Sequence, residues 1–244
     1  MTPVKVSCLI CATPRCGSTL LCETLRRTRV GGRPEEFFSI YLLPKYRRLW
    51  KVSADISSYV EKAIEVGTTS NGVFSAKLMW SDAIPLFAQL GAHYGASAAD
   101  ISTAHKLLGK LFPDLHYVFI ERKDKLAQAV SFAKALQTDV WVKKPGINGA
   151  KNPELEYNRR QIDYLLKEIA AQSVAWKGFF NSVGVPIKHV FYEDLSENIE
   201  ETARDVLDHL GVAMPADEEL AKTFLQRQSD QVNEDWIARY KTGK

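Results

Sequence analysis

Residues 12–20 read ATPRCGSTL, a short turn that places Arg15 and Gly17 just ahead of the hydroxyls of Ser18 and Thr19. Where a strand hands over to a helix, such a turn aims several backbone N–H groups and the positive end of the helix dipole at one point. Ser18 and Thr19 add hydroxyl donors there, and Arg15 adds a permanent cation able to grip an oxyanion with two N–H groups. The implied chemistry is capture of a phosphate-like group by Arg15, Cys16, Gly17, Ser18 and Thr19. A capped turn with a solvated arginine has the same pattern, so this segment alone leaves both readings open. It is not a Walker A loop, because that motif needs a second glycine and a lysine after Gly17. The loop suits a single 5'-phosphate better than a β/γ pair.

Two further segments carry chemistry. Arg122 lies in Glu121-Arg122-Lys123-Asp124, with Ser131 nine residues further on. An arginine at the carboxyl end of a strand, with a hydroxyl in the next helix, makes a second phosphate clamp or a solvated charge cluster. Glu35 and Glu36 sit between Pro34 and the pair Phe37-Phe38. Apolar neighbours favour a carboxylate acting as general base, and exposed rings stack on sugar faces. Surface acids beside a core phenylalanine pair give the same sequence.

The elements that must position these residues follow from pattern. Residues 4–12 form a short β-rich apolar run, as expected of a strand buried in a parallel sheet. Leu20, Leu21, Thr24 and Leu25 then recur at helical spacing, and Gly31-Gly32 is taken as the end of that helix. Strands are expected at Val73–Leu78, Tyr117–Glu121 and 186–192. Helices are expected at 84–90, 101–111, after an Asp124 cap, from Glu154 to Phe180 and from Ser196 to Leu210. Residues 41–66 read as helical in pieces, and residues 143–153 as a loop. Strand–helix alternation predicts an α/β fold, a central parallel sheet flanked by helices, in one domain spanning the chain.

Composition narrows the function classes. The chain has 244 residues, 32 Lys plus Arg against 29 Asp plus Glu, and a formal charge of +3. That density does not suit nucleic acid, so a cationic patch here serves one anionic ligand. No apolar run approaches the ~18 residues of a membrane span, and the N-terminus lacks signal-peptide features. A cytoplasmic protein is expected. Cys8, Cys11, Cys16 and Cys22 are all the cysteines, and Cys8 with Cys11 has C-x-x-C spacing. On a strand those two point to opposite faces, and no second pair completes a ligand set, so reduced buried thiols and no metal are expected. His93, His105, His116, His189 and His209 form no ligand or triad spacing, and no G-x-S-x-G occurs.

TPRCGSTLL, GGRPEEFF, GVFSAKLMW, ERKDKLAQAVSF with LQTDVW, and RQSDQVNEDWIARY occur in this order. In that order and spacing the chain resembles the sulfotransferases that use 3'-phosphoadenosine-5'-phosphosulfate (PAPS), and among them the bacterial carbohydrate group that includes trehalose-sulfating enzymes. The resemblance implies a P-loop-like α/β fold, PAPS as co-substrate, a sugar or glycolipid acceptor and a homodimer. It implies that Arg15 to Thr19 take the 5'-phosphosulfate, Arg15 standing where many relatives carry lysine, and that Arg122 and Ser131 take the 3'-phosphate. Glu36 matches the residue regarded as the base. Pro14, Arg33, Pro34, Glu35, Glu36, Phe37, Phe38 and Ser39 would line the acceptor pocket. Pro14 and Arg33 replace a polar and an acidic residue of the trehalose-sulfating members, and Arg33 fits an acceptor bearing a carboxylate or phosphate. Lys77 and Trp80, in the matching KLMW segment, either reach the site or are a snorkelling lysine and a core tryptophan, the commoner use of such residues. Arg227 and Asp230 are assigned either to closure over the co-substrate or to a dimer contact. The rival readings are a P-loop kinase or NTPase, marked by magnesium and ATP, and a non-catalytic nucleotide-binding protein with no need of Glu36.

Overall fold

A computed structural model describes residues 2–53, 55–96, 101–142, 155–215 and 230–243. In chain order its elements are β1 (Val6–Ala12), α1 (Ser18–Arg27), α2 (Leu43–Trp50), α3 (Ile56–Gly67), β2 (Val73–Met79), α4 (Trp80–Tyr94) and α5 (Ile101–Leu111). There follow β3 (Leu115–Glu121), α6 (Lys125–Thr138), α7 (Arg159–Val183), β4 (Ile187–Phe191), α8 (Tyr192–Glu197), α9 (Ile199–His209) and α10 (Gln231–Thr242). The four strands form one parallel sheet in the order β2-β1-β3-β4.

β1 is central, and six of its seven residues are buried. Its side chains alternate between two cores, as pleating requires. Leu9 and Cys11 join Phe74, Phe112, Trp176 and Phe179 on one side. Cys8, Ile10 and Ala12 join Leu21, Leu25, Val206 and Leu207 from α1 and α9 on the other. Cys8 and Cys11 therefore face opposite layers and cannot share one ion. All four cysteines are free and buried. Burial pushes the Cys8 and Cys22 thiols up to about 12, which keeps them protonated at neutral pH. Among the described residues no helix is long and apolar enough to cross a membrane.

Several expected boundaries shift, each for a local reason. α1 ends at Arg27, short of Gly31-Gly32, because the Thr28 hydroxyl donates to the Leu25 carbonyl and accepts from Gly31 N. α4 begins at Trp80 directly after β2, and Pro85 is accommodated inside it. α7 starts at Arg159 rather than Glu154, capped by the Asn158 side chain on Gln161 N. The single helix expected over 196–210 is two, parted at Asn198 (φ −133, ψ 68). The loop expected at 143–153 lies outside the described residues.

This topology fixes where ligands can go. β2 lies on one side of β1 and β3 on the other, so the connections leaving β1 and β3 run apart at their carboxyl ends. Open α/β sheets bind ligands in the crevice so formed. Thr13–Gly17 leaves β1 at that edge, Arg122 leaves β3, Tyr192 leaves β4, and Lys77 stands two residues before the end of β2.

Candidate active site

The loop after β1 is held from both sides. Gln128 of α6 is fully buried and donates to Thr13 Oγ1 (2.9 Å) and the Pro14 carbonyl (2.7 Å). Trp176 of α7 donates to the Ala12 carbonyl at 3.0 Å. Arg15 (φ 64) and Gly17 (φ 91) both adopt left-handed backbone. Glycine is required at the second position, since a Cβ there would lie 2.4 Å from Tyr192 Cδ2. The turn thus opens α1 with its amides free of side-chain caps.

Arg15 reaches across to α6. Its Nε donates to Ser131 Oγ at 3.1 Å and its Nη1 to the Trp141 carbonyl at 2.6 Å. Burial, and then the neighbouring Arg122 cation, pull the Arg15 guanidinium below its ordinary pKa. Arg122 itself packs over the Tyr192 ring, 4.9 Å from its centroid. Its Nε is buried and, among the described residues, has no hydrogen-bond partner. Two crowded guanidiniums, one with an unsatisfied donor, beside a hydroxyl make a place that an oxyanion would stabilise. The residues present therefore fit a phosphate group.

On the β2 side the geometry is different. Lys77 is 8% exposed, and its Nζ lies 2.6 Å from Glu36 Oε1 and 3.2 Å from Thr19 Oγ1. Burial works against its charge, but interactions with Cys22 and Glu36 outweigh burial and hold the ammonium above the ordinary lysine value. With the Cys22 thiol neutral at physiological pH, Glu36 is the partner that matters there. Lys77 is therefore a member of the site and not a snorkelling surface lysine. Trp80 does take the expected place, edge-on to buried Trp176 at 5.0 Å.

Glu36 is placed by the loop around it. Arg33 N donates to the Gly67 carbonyl (2.8 Å) and Lys77 N to the Glu35 carbonyl (2.9 Å), so the loop runs alongside β2. Arg26 donates to the Pro34 carbonyl and the Glu35 carboxylate, at 2.8 and 2.7 Å. Phe37 and Phe38 are 1% and 3% exposed and lie in the aromatic core with Tyr59, Phe74 and Phe112. They anchor the loop, and their rings are not available to stack on a sugar. Ser39 is buried, and its amide donates to the Glu36 carbonyl at 3.2 Å. Asp82, in the first turn of α4, accepts from Ile40 N at 3.1 Å. Burial and the nearby Glu36 charge, against that hydrogen bond, push the Asp82 carboxyl up to about 6. What remains facing outward is Glu36, with Arg33 and Glu35 exposed.

The fold therefore gathers Arg15, Arg122 and Ser131 at one end of the carboxyl edge, and Thr19, Lys77 and Glu36 at the other, with the Cys16–Ser18 turn between them. Sequence reasoning singled out all of these, Lys77 with snorkelling as the favoured alternative, and it missed Gln128, Tyr192 and Asp82. The bulk of Gly17's neighbour gives Tyr192 away only in three dimensions. Asp230 caps α10 and pairs with Lys134, and Arg227 lies outside the described residues. Among the described residues, no group of three or more His, Cys, Asp or Glu side chains is arranged to hold a metal ion.

Comparison with known proteins agrees with this architecture. Trehalose 2-sulfotransferase of Mycolicibacterium smegmatis is 32% identical over 96% of this chain and 93% of its own length. The Mycobacterium tuberculosis enzyme of the same name is 29% identical over the same shares. Two solved structures share the fold at a TM-score of 0.51. The sulfotransferase domain from the curacin biosynthetic pathway is 15% identical and covers 88% of this chain and 76% of its own. A sulfotransferase from Alicyclobacillus acidocaldarius is 13% identical and covers 98% and 92%. The family model for Stf0 sulphotransferase matches residues 7–243, nearly the full length. This chain belongs to the Stf0 sulphotransferase family.

Proposed function

We propose that the protein transfers the sulfuryl group of PAPS to a hydroxyl of a sugar or glycolipid acceptor. The observation that carries this reading is the pair of crowded guanidiniums, Arg15 bonded to Ser131 and Arg122 beside it with a buried Nε that has no hydrogen-bond partner among the described residues. A second phosphate on the nucleotide, at the 3' position, is what such a clamp would recognise. The amides and hydroxyls of Cys16 to Thr19 would hold the 5'-phosphosulfate. Arg15 spans from that loop to Ser131 and is the cation for charge on the leaving phosphate.

In the transfer, the acceptor oxygen forms a bond to sulfur in line with the breaking bond between sulfur and the bridging oxygen. The acceptor proton passes to Glu36, and the electron pair of the broken bond stays on the 5'-phosphate, where cations and amides stabilise it. Sulfuryl transfer develops little charge on the moving group, so side chains suffice. The trehalose-sulfating relatives support a sugar acceptor. Exposed Arg33, three residues before Glu36, favours one that also bears a carboxylate or phosphate.

Thermal unfolding tests the co-substrate class. At about 100 times its Kd, 3'-phosphoadenosine-5'-phosphate should stabilise the native state by about 2.7 kcal/mol, a shift of several degrees. ADP and ATP, with or without magnesium, should shift it far less. A larger shift with ATP and magnesium would reject PAPS in favour of phosphoryl transfer.

A further inference from the structure

Lys77 is nine-tenths buried, yet its ammonium touches both halves of the proposed reaction. It lies 2.6 Å from the carboxylate of Glu36 and 3.2 Å from the hydroxyl of Thr19 in the first turn of α1. Those two partners stand 17 residues apart in the chain, and a side chain from β2 touches both. A buried ammonium keeps its charge only while an anion compensates it. Here Glu36 does so, with Asp82 also near both groups. The thiols of Cys16 and Cys22 face the same ammonium and are protonated at neutral pH by burial.

We propose that Lys77 is a positioning residue shared between Glu36 and the 5' anionic end of the bound nucleotide, so that the two compete for one cation. This rests on the reading of the α1 loop as the 5'-phosphosulfate site. An anion at Thr19 draws the ammonium, already within hydrogen-bond distance of that hydroxyl, away from Glu36. The carboxylate is then left free to accept the acceptor's proton. Co-substrate binding and readiness of the base become one event, and the base itself weakens nucleotide binding until that exchange occurs.

The test uses binding alone, with three probes: 3'-phosphoadenosine-5'-phosphate, ADP and 3'-AMP, which has no 5' anion. Calorimetry on the full chain compares wild type with Lys77→Met, Lys77→Arg and Glu36→Gln. Without its charge-assisted hydrogen bond to the 5' end, Lys77→Met should bind 3'-phosphoadenosine-5'-phosphate about tenfold more weakly. Glu36→Gln, which frees the ammonium, should tighten it about three- to tenfold. Affinity for 3'-AMP should stay near wild type in both, and Lys77→Arg should stay close to wild type throughout. Equal losses for 3'-AMP and the bisphosphate in a folded Lys77→Met, or no gain in Glu36→Gln, would overturn the sharing. Should Lys77→Met fail to fold, Glu36→Gln and Lys77→Arg still decide it. Wild type that prefers ADP to the bisphosphate would remove the co-substrate reading, and this inference with it.

Discussion

Exchanging Glu36 for Gln should lower kcat by about 10²–10⁴-fold, the range for loss of a general base. The structure makes this a clean probe. The carboxylate is held by Lys77 on one side, and its backbone is fixed by the Phe37 and Phe38 anchors and by pairing of Glu35 with β2. Gln keeps the shape and one acceptor oxygen, so the loop should stay in place and the folded state should survive. Nucleotide affinity should not fall. The measurement is steady-state turnover beside calorimetric binding of 3'-phosphoadenosine-5'-phosphate to the same preparation. A variant with near wild-type kcat would remove Glu36 from the mechanism, whatever its affinity.

The second large effect is expected at Arg122. Truncation to Ala should weaken 3'-phosphoadenosine-5'-phosphate about 10–100-fold, the cost of one charge-assisted hydrogen bond to a phosphate. ADP, which lacks the 3'-phosphate, should lose little. Selectivity is the quantity to read, because Arg122 also covers Tyr192 and its removal loosens packing against Gly17. Arg122→Lys should fall between, since an ammonium keeps charge but not the planar two-point grip. Equal losses for both nucleotides would place Arg122 in the scaffold and not in the clamp.

Much of the fold is legible in the sequence, and the reason is locality. The turn after β1 carries its signal in adjacent residues, so its place between strand and helix, with Gly17 in left-handed backbone opening α1, is readable from strand, glycine and hydroxyls in sequence. Asp124 lies just ahead of α6 and caps it as expected, its carboxylate accepting from Ala127 N. Alternation along β1 correctly sends Cys8 and Cys11 to different layers. Residues 41–66 read as helical in pieces and are two helices, α2 with Leu43, Tyr46 and Trp50 only partly buried against the core and α3 with Ile56, Tyr59, Val60 and Ala63 buried, but their bounds were not readable in sequence.

What sequence reasoning missed depends on contacts across the chain. The Lys77–Thr19 bond spans 58 residues, and the Arg15–Ser131 bond 116. A lysine within an apolar strand reads as snorkelling until the strand is known to be flanked by Glu36. Phe37 and Phe38 read as a core pair from their own residues and as part of the acceptor pocket from the family resemblance. Only their packing with Tyr59, Phe74 and Phe112 decides that they anchor the loop instead. Asp82 gave no signal, because its part is to accept the amide of Ile40, which is 42 residues away.

The most direct test of the central claim is transfer itself. The protein is incubated with PAPS radiolabelled in its sulfur and with trehalose, sugars bearing a carboxylate or phosphate, and an extract of total carbohydrate and glycolipid. Parallel tubes hold ATP radiolabelled in its γ-phosphate, with magnesium. The account predicts that sulfur label moves to a sugar-containing product, without magnesium, and that the γ-phosphate stays on ATP. Sulfur label remaining in PAPS with every acceptor, while the γ-phosphate is released or transferred, would contradict it.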